Sequence, residues 1–356
     1  MNKTLKSILQ FLVFFGVGFS ILVFLYQRNN AAYQEQCQLD GVPLDECSLL
    51  QKIITDFQEA DFFWLGMVVV VYLLSNVSRA IRWQMFFKPL GYKINFWTSY
   101  HAVMLGYFAN LGLPRLGEVL RPGAITRYEG VPLEKAFGTV VTGRILDFLM
   151  LFIVIGISLI SEYDALLKWL EDNADLSSKV DGLINSPILK IGAVVAILGV
   201  ALLFFFRKKL METALFEKVK GIALGFWEGI SSIRNVENIW AVAGYTVFIW
   251  VMYFAMTWLC MFAFEPTKEI TAMQGLMVFV FGALGMVVPA PGGMGSYHAA
   301  ITAGLVIYGI PEVEGFSFAN ILFFTIQLFG NVLLGLIALI YFSRKVPVDD
   351  LEGMQT

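Results

Sequence analysis

Arg115, Glu118 and Arg121 stand three residues apart behind Pro114, inside an otherwise apolar part of the chain. At that spacing they share one face of a helix. Two guanidiniums against one carboxylate leave a surplus positive charge, and an arginine fork holds a phosphate through two parallel bonds. The competing reading is a self-neutralising cluster that fixes the tip of a hairpin. Farther on, Arg144 and Asp147 occupy i and i+3 of a long apolar run and can pair within their own helix. In the sharper reading Asp147 holds Arg144, or Glu118 reaches one of the two, until an anionic group arrives. A second stretch, Pro289-Ala290-Pro291-Gly292-Gly293-Met294-Gly295, lets a substrate or a helix approach the backbone closely because its glycines lack Cβ. A helix restarting near Gly295 or Ser296 would aim free amides and a positive dipole end at an anion. A plain kink packed against other helices is the alternative. His101 and His298, the two histidines of the chain, fall one in each stretch and suit hydrogen-bonded packing better than proton relay.

The elements that position these residues are apolar helices. Of 356 residues, 58% are hydrophobic and only 15% charged, with 32 Phe and 32 Gly, more apolar surface than one soluble core can hide. A bilayer takes the rest, and small residues let its helices pack. Runs at 5–27, 62–82, 137–160, 188–206, 239–264 and 317–342 each approach the length that crosses hydrocarbon. The first is too long for a secretory h-region and reads as an uncleaved helix, with cleavage at Ala31-Ala32 as the rival. Between spans, 97–135 and 267–315 are apolar but broken by Pro and Gly, the first also by charge. Ionisable groups there cost about 2.5–3.5 kcal/mol each, so they persist where they pair or line a wet cavity.

Lys3, Lys6, Arg79, Arg82, Lys88, Lys93, the basic residues of 207–234, Arg344 and Lys345 mark one side as cytoplasmic, whereas 28–61 and 161–187 are rich in Asp and Glu. Both termini are then cytoplasmic in a multi-pass protein of the cytoplasmic (inner) membrane. Residues 207–238 read as a cytoplasmic amphipathic helix or a helix packed under the bundle, and 161–186 as a similar helix on the outer surface. Cys37 and Cys47 flank a short acidic loop and form a disulfide if that loop faces an oxidising compartment. Trp64, Trp83, Trp97, Trp240 and Tyr341 read as interfacial anchors, and Gln327 and Asn331, on one face of the last helix, as helix-to-helix hydrogen-bonding groups.

The fold class expected is all-α: a polytopic membrane helix bundle with inverted-topology repeats, each holding a broken re-entrant hairpin. The single transmembrane domain spans 1–356, with repeats at 1–160 and 188–342. The repeat is read from a shared order. The Arg115 segment leads through Gly130-Val131-Pro132 to the helix of Arg144 and Asp147, and the Gly292 segment through Gly309-Ile310-Pro311 to the helix of Gln327 and Asn331. Inverted repeats recur among transporters.

Pro114-Arg115-Leu116-Gly117-Glu118-Val119-Leu120-Arg121, Ala136 to Asp147, and Pro289 to Gly295 together resemble the lysylphosphatidylglycerol synthase transmembrane-region family of flippase-like membrane domains. The resemblance covers most of the chain and implies a stand-alone member, without the synthase domain, that handles membrane lipid. In members fused to a synthase it implies flipping of an aminoacylated phospholipid; the function expected here is movement of an anionic or zwitterionic lipid across the cytoplasmic membrane, with aminoacylated and polyprenyl-linked lipids among the candidates. Many relatives carry Glu at the position of His298 and Arg at that of Gln327, so a second-repeat charge pair is replaced here by neutral polar groups. The expected substrate-binding set is Arg115, Glu118, Arg121, Arg144, Asp147, Gly292, Gly293, Gly295 and His298. No Ser–His–Asp, metal-ligand or P-loop spacing appears, so neither an enzyme nor a metal or other cofactor is expected. The expected partner is a membrane lipid and not nucleic acid, with a second copy or a lipid-modifying enzyme as candidate protein partners. A membrane-embedded transferase acting on a lipid carrier and a non-catalytic subunit of a membrane complex are the alternatives.

Overall fold

The computed structural model describes residues 47–172, 235–288 and 290–348, with residues 43 and 231 and most of 19–38. Helix is the regular structure of the described residues, with no strand among them, and four of their helical segments are long and apolar enough to cross a bilayer: Phe62–Leu90, Leu133–Ser161, Ile239–Ala263 and Glu312–Arg344. The protein is a membrane protein on that ground. The expected spans at 5–27 and 188–206 and the helix at 207–238 lie largely outside the described residues.

Helix α1 (Leu49–Glu59) is capped by Ser48, and α2 (Phe62–Phe87) by Asp61, whose carboxylate accepts from the Phe63 amide at 2.9 Å. Cys37 and Cys47, ahead of α1, are joined by a disulfide. α2 runs past the expected end at 82 because Trp83, Phe86 and Phe87 keep its buried face apolar. This extension carries Arg79 and Arg82 inside the bundle instead of leaving them in a cytoplasmic loop.

Helices α3 (Phe96–Gly112) and α4 (Gly117–Glu129) form a hairpin. Asn110 closes it, its side-chain oxygen accepting from the Gly117 amide at 2.7 Å and so capping α4 from the preceding helix. A Cβ on Gly117 would lie 2.1 Å from the Gly106 carbonyl oxygen, so this crossing requires glycine. A proline inside a helix removes a backbone donor and commonly kinks or breaks it, and Pro122 stands within α4. It does not end the helix, and the Thr126 hydroxyl bonds to the Pro122 carbonyl at 3.0 Å. Arg115 sits at the tip at φ 65°, the one non-glycine residue at positive φ among those described.

Gly130 at φ 70° ends α4, and Val131-Pro132 leads into α5 (Leu133–Ser161). α6 (Tyr163–Asp172) follows as the described part of the expected outer-surface helix. α7 (Ile239–Ala263) lies along α2, and α8 (Ala272–Val287) opens with a capping box between Thr271 and Gln274. A turn with Gly292, Gly293 and Gly295 at φ 58°, 79° and 81° reverses the chain into α9 (Ser296–Val306). Pro289, part of that motif, lies outside the described residues.

Gly309-Ile310-Pro311 then leads to α10 (Glu312–Phe323), a π-helical stretch at Phe324–Gly330 and α11 (Asn331–Arg344). The order hairpin, Gly-x-Pro break and long helix thus occurs twice. The two turns touch, since Gly292 packs against Leu111 so closely that a Cβ would come within 2.9 Å of its side chain. Asn331 fulfils its expected bonding role by accepting from the Tyr72 hydroxyl of α2 at 2.5 Å.

The hairpin crossing can be tested by stability in detergent. Gly117→Ala is expected to cost about 1–3 kcal/mol, as overpacking against rigid backbone does. Gly66→Ala, with nothing within 4 Å of its Cβ, should instead leave stability unchanged or raise it by about 0.5–1 kcal/mol.

Candidate functional site

Four helices bring arginines and their partners to one place. On α2, Arg79, Arg82 and Trp83 fall at i, i+3 and i+4 and therefore on one face. On α5, Thr139, Gly143 and Asp147 recur every four residues and look toward them. α4 contributes Glu118 and Arg121, and α7 contributes Thr246 and Tyr253. A narrow cleft is lined by Arg79, Arg82, Trp83, Arg121, Arg144 and Asp147, among others.

Asp147 is shared by the two α2 arginines. Arg82 Nη2 reaches its Oδ1 at 2.8 Å and Arg79 Nη1 its Oδ2 at 3.1 Å. Arg82 Nη1 also donates to the Thr246 hydroxyl at 3.0 Å, and Arg79 Nη2 donates to the Tyr253 hydroxyl. The Tyr253 hydroxyl in turn lies 3.2 Å from that of Tyr107 on α3. Asp147 is turned to the α2 arginines and makes no bridge to Arg144, the pairing that the sequence spacing allowed. Arg144 turns outward instead and pairs with Glu118 at 3.1 Å, the other branch of that expectation. This second pair is open, with side-chain exposures of 44% for Arg144 and 33% for Glu118.

Arg121 is different from its neighbours. It is 7% exposed, makes no ion pair among the described residues, and its Nε has no hydrogen-bond partner. Its guanidinium lies over the Trp83 ring at 4.7 Å, and its stem crosses Gly106, where a Cβ would meet it at 2.5 Å. Trp83 is consequently no interfacial anchor: it is 3% exposed and its indole N–H donates to Thr139 at 3.0 Å. A cation–π contact contributes about 0.5–2 kcal/mol. The effective penalty for a buried, unpaired charge is several kcal/mol, so Trp83 alone does not balance it. Four guanidiniums (Arg79, Arg82, Arg121, Arg144) face two carboxylates (Asp147, Glu118), which leaves two positive charges at the cleft.

The residues singled out from the sequence divide accordingly. Arg121, Arg144, Asp147 and Glu118 come together, whereas Arg115 is exposed at the hairpin tip and no Arg115–Glu118–Arg121 cluster forms. Gly292, Gly293, Gly295 and His298 do not line the cleft, and His298 is 1% exposed with its ring 4.7 Å from that of Phe323. Arg79 and Arg82, which by sequence mark the cytoplasmic side, are buried in the cleft. The apolar residues that follow them, Trp83 and Met85 to Phe87, were the signal that the helix continues.

On the outer side of α5, Ile145, Phe148, Leu149 and Phe152 are 47%, 57%, 56% and 59% exposed. They form an apolar strip that begins beside Arg144. Positive charge and an exposed apolar surface therefore adjoin on this helix.

A family model described as Lysylphosphatidylglycerol synthase TM region matches residues 48–342. A UPF0104 membrane protein of Methanocaldococcus jannaschii is 31% identical over 113 residues, 30% of this chain and 34% of that protein. The glycosyltransferase AglD of Haloferax volcanii is 22% identical over 278 residues, 70% of this chain and 44% of that protein. The chain thus spans less than half the length of these curated relatives. No solved structure matches.

Asp147→Asn removes the charge shared by Arg79 and Arg82 and is expected to cost about 3–5 kcal/mol. Glu118→Gln, in the open pair, should cost under about 1 kcal/mol. Denaturation in detergent measures both, and equal costs would contradict the assignment of Asp147 as the buried counter-charge.

Proposed function

The chain belongs to the Lysylphosphatidylglycerol synthase TM region family, and on that footing we propose that it translocates a phosphate-bearing lipid across the cytoplasmic membrane. The observation that carries this reading is the buried Arg121 guanidinium without an ionic partner. Its missing counter-charge is supplied by the headgroup. Arg144 takes a second phosphate oxygen after parting from Glu118, an exchange made inexpensive by the exposure of that pair. Asp147 keeps Arg79 and Arg82 engaged, so that Arg121 and Arg144 alone are available to the ligand. The acyl chains lie along Ile145, Phe148, Leu149 and Phe152, within or beside the bilayer.

In this reading the α3–α4 and α8–α9 hairpins enter the membrane from opposite sides, and both termini are cytoplasmic. The packing of Gly292 on Leu111 supports a meeting of their tips. The distribution of basic and acidic loops supports the orientation. A headgroup that is itself zwitterionic or aminoacylated keeps the phosphate that the site requires.

The match to part of a glycosyltransferase motivates a second reading, a transferase working on a lipid carrier. It predicts a covalently altered lipid after incubation, whereas translocation returns the lipid unchanged.

Reconstitution into vesicles with a headgroup-labelled anionic phospholipid tests the proposal. The protein should accelerate loss of outer-leaflet label. Loss of a hydrogen bond to a charged group is worth about 1.5–3 kcal/mol, so Arg121→Met and Arg144→Ala should each slow the rate by about tenfold or more. Unchanged rates in folded Arg121→Met and Arg144→Ala proteins would reject the role of these residues. No acceleration by the unaltered chain for any phospholipid would reject translocation.

A further inference from the structure

A cavity of about 390 Å³ lies between the helical stretch 22–35, α6, α9 and the start of α10. It shares no lining residue with the arginine cleft. Arg28 and Glu312 line its open edge, paired at 2.6 Å, with side chains 58% and 40% exposed. The bond from Arg28 Nη2 to Glu312 Oε1 is the one bond that either side chain makes among the described residues. A guanidinium has five N–H donors and a carboxylate two oxygens. Both partners therefore keep reachable bonding capacity, positive on one side and negative on the other.

Behind this pair the wall is apolar. On α9, Ala299, Ala303 and Val306 share one face, and Leu25, one turn from Arg28, lines the same cavity. All four are partly exposed, so a ligand can touch them, and the short side chains of α9 leave a groove along that helix. From Val306 to Ala299 the groove runs about 10 Å, at 1.5 Å per residue. Val306 lies at the charged end, since α9 stops at that residue and a short connection leads to Glu312. Glu312 opens the Glu312–Arg344 span, and α9 packs against α10. The charges thus lie where a membrane helix begins, and the groove descends from them into hydrocarbon. Charge above an apolar groove is the order of a lipid, headgroup and then chain.

The pair selects the headgroup. An anion alone would sit beside the Glu312 carboxylate, and a cation alone beside the Arg28 guanidinium. A zwitterion with a phosphate and an ammonium on a short linker meets both: phosphate oxygens accept from the free Arg28 N–H groups, and the ammonium donates to Glu312 Oε2. A quaternary ammonium has no N–H to give, so the complementary cation is a primary ammonium. We propose that this cavity binds a zwitterionic phospholipid carrying a primary ammonium, of the phosphatidylethanolamine class, with one chain in the α9 groove. The site is independent of the arginine cleft and stands whether or not the protein translocates lipid.

Native mass spectrometry of the full chain in an uncharged detergent tests it, with short-chain phosphatidylethanolamine, phosphatidylcholine and phosphatidylglycerol as probes. The measurement is made on an Arg121→Met background, which weakens the cleft. Phosphatidylethanolamine should bind saturably at one site and about tenfold more tightly than either other lipid, a difference of about 1.4 kcal/mol. Arg28→Gln and Glu312→Gln should each weaken that binding by about tenfold. An exposed ion pair contributes little to stability, so both variants should keep the melting temperature of the background protein. Ala303→Leu, which fills the groove and removes no charge, should weaken the binding as well. The proposal is overturned if phosphatidylethanolamine does not bind saturably, or if either other lipid binds as tightly. Binding left unchanged by both charge variants, or by Ala303→Leu, would overturn it too.

Discussion

A guanidinium cannot be stripped of water inside a helix bundle unless something replaces the water. At the centre of this protein four arginines converge on two carboxylates. Asp147 replaces water for Arg79 and Arg82 by giving one oxygen to each, with Thr246 and Tyr253 completing their bonds. Glu118 does so for Arg144 at the open edge. Nothing in the described residues does so for Arg121 beyond the face of Trp83. The imbalance divides the cleft into a structural part, closed and neutralised as far as one carboxylate allows, and a receptive part. The first fixes α2 against α5 and α7. The second, Arg121 and Arg144, lies beside it.

Backbone proximity makes the receptive part possible. Arg121 reaches Trp83 only because its stem passes over Gly106, and α4 lies close enough to α3 only because Gly117 faces the Gly106 carbonyl. Asn110 caps the return helix from the preceding one, so the hairpin needs no cap of its own and its tip is spared a polar side chain at Leu116. The second hairpin achieves a similar reversal with three glycines at positive φ and presses Gly292 onto Leu111. It buttresses the first hairpin but contributes no charge to the cleft.

The sequence made the helical class, the four described spans and the two interrupted segments legible, because hydrophobic run length and Pro/Gly punctuation report directly on backbone needs in lipid. It also made Arg121, Arg144, Asp147 and Glu118 legible as a set. Partner choice was hidden. Spacing within one helix favoured Arg144 with Asp147, whereas the partners of Asp147 lie 68 and 65 residues away on α2. Arg79 and Arg82 were concealed by the statistical habit of reading basic residues near a span end as loop charges. Trp83 was concealed by the corresponding habit for aromatics. Both are surface rules, and packing of α2 against α3, α5 and α7 overrides them. The glycine motif suggested an anion site by its free amides, yet the glycines serve the turn and its contact with Leu111.

The central claim concerns what neutralises Arg121. The most direct measurement is a density map of the full chain in nanodiscs containing phosphatidylglycerol, at a resolution that shows headgroups. The account predicts phosphate density bridging Arg121 and Arg144, with Glu118 displaced from Arg144. Arg121 found paired with a carboxylate of the chain itself, or the space between Arg121 and Arg144 without a headgroup in such discs, would contradict it.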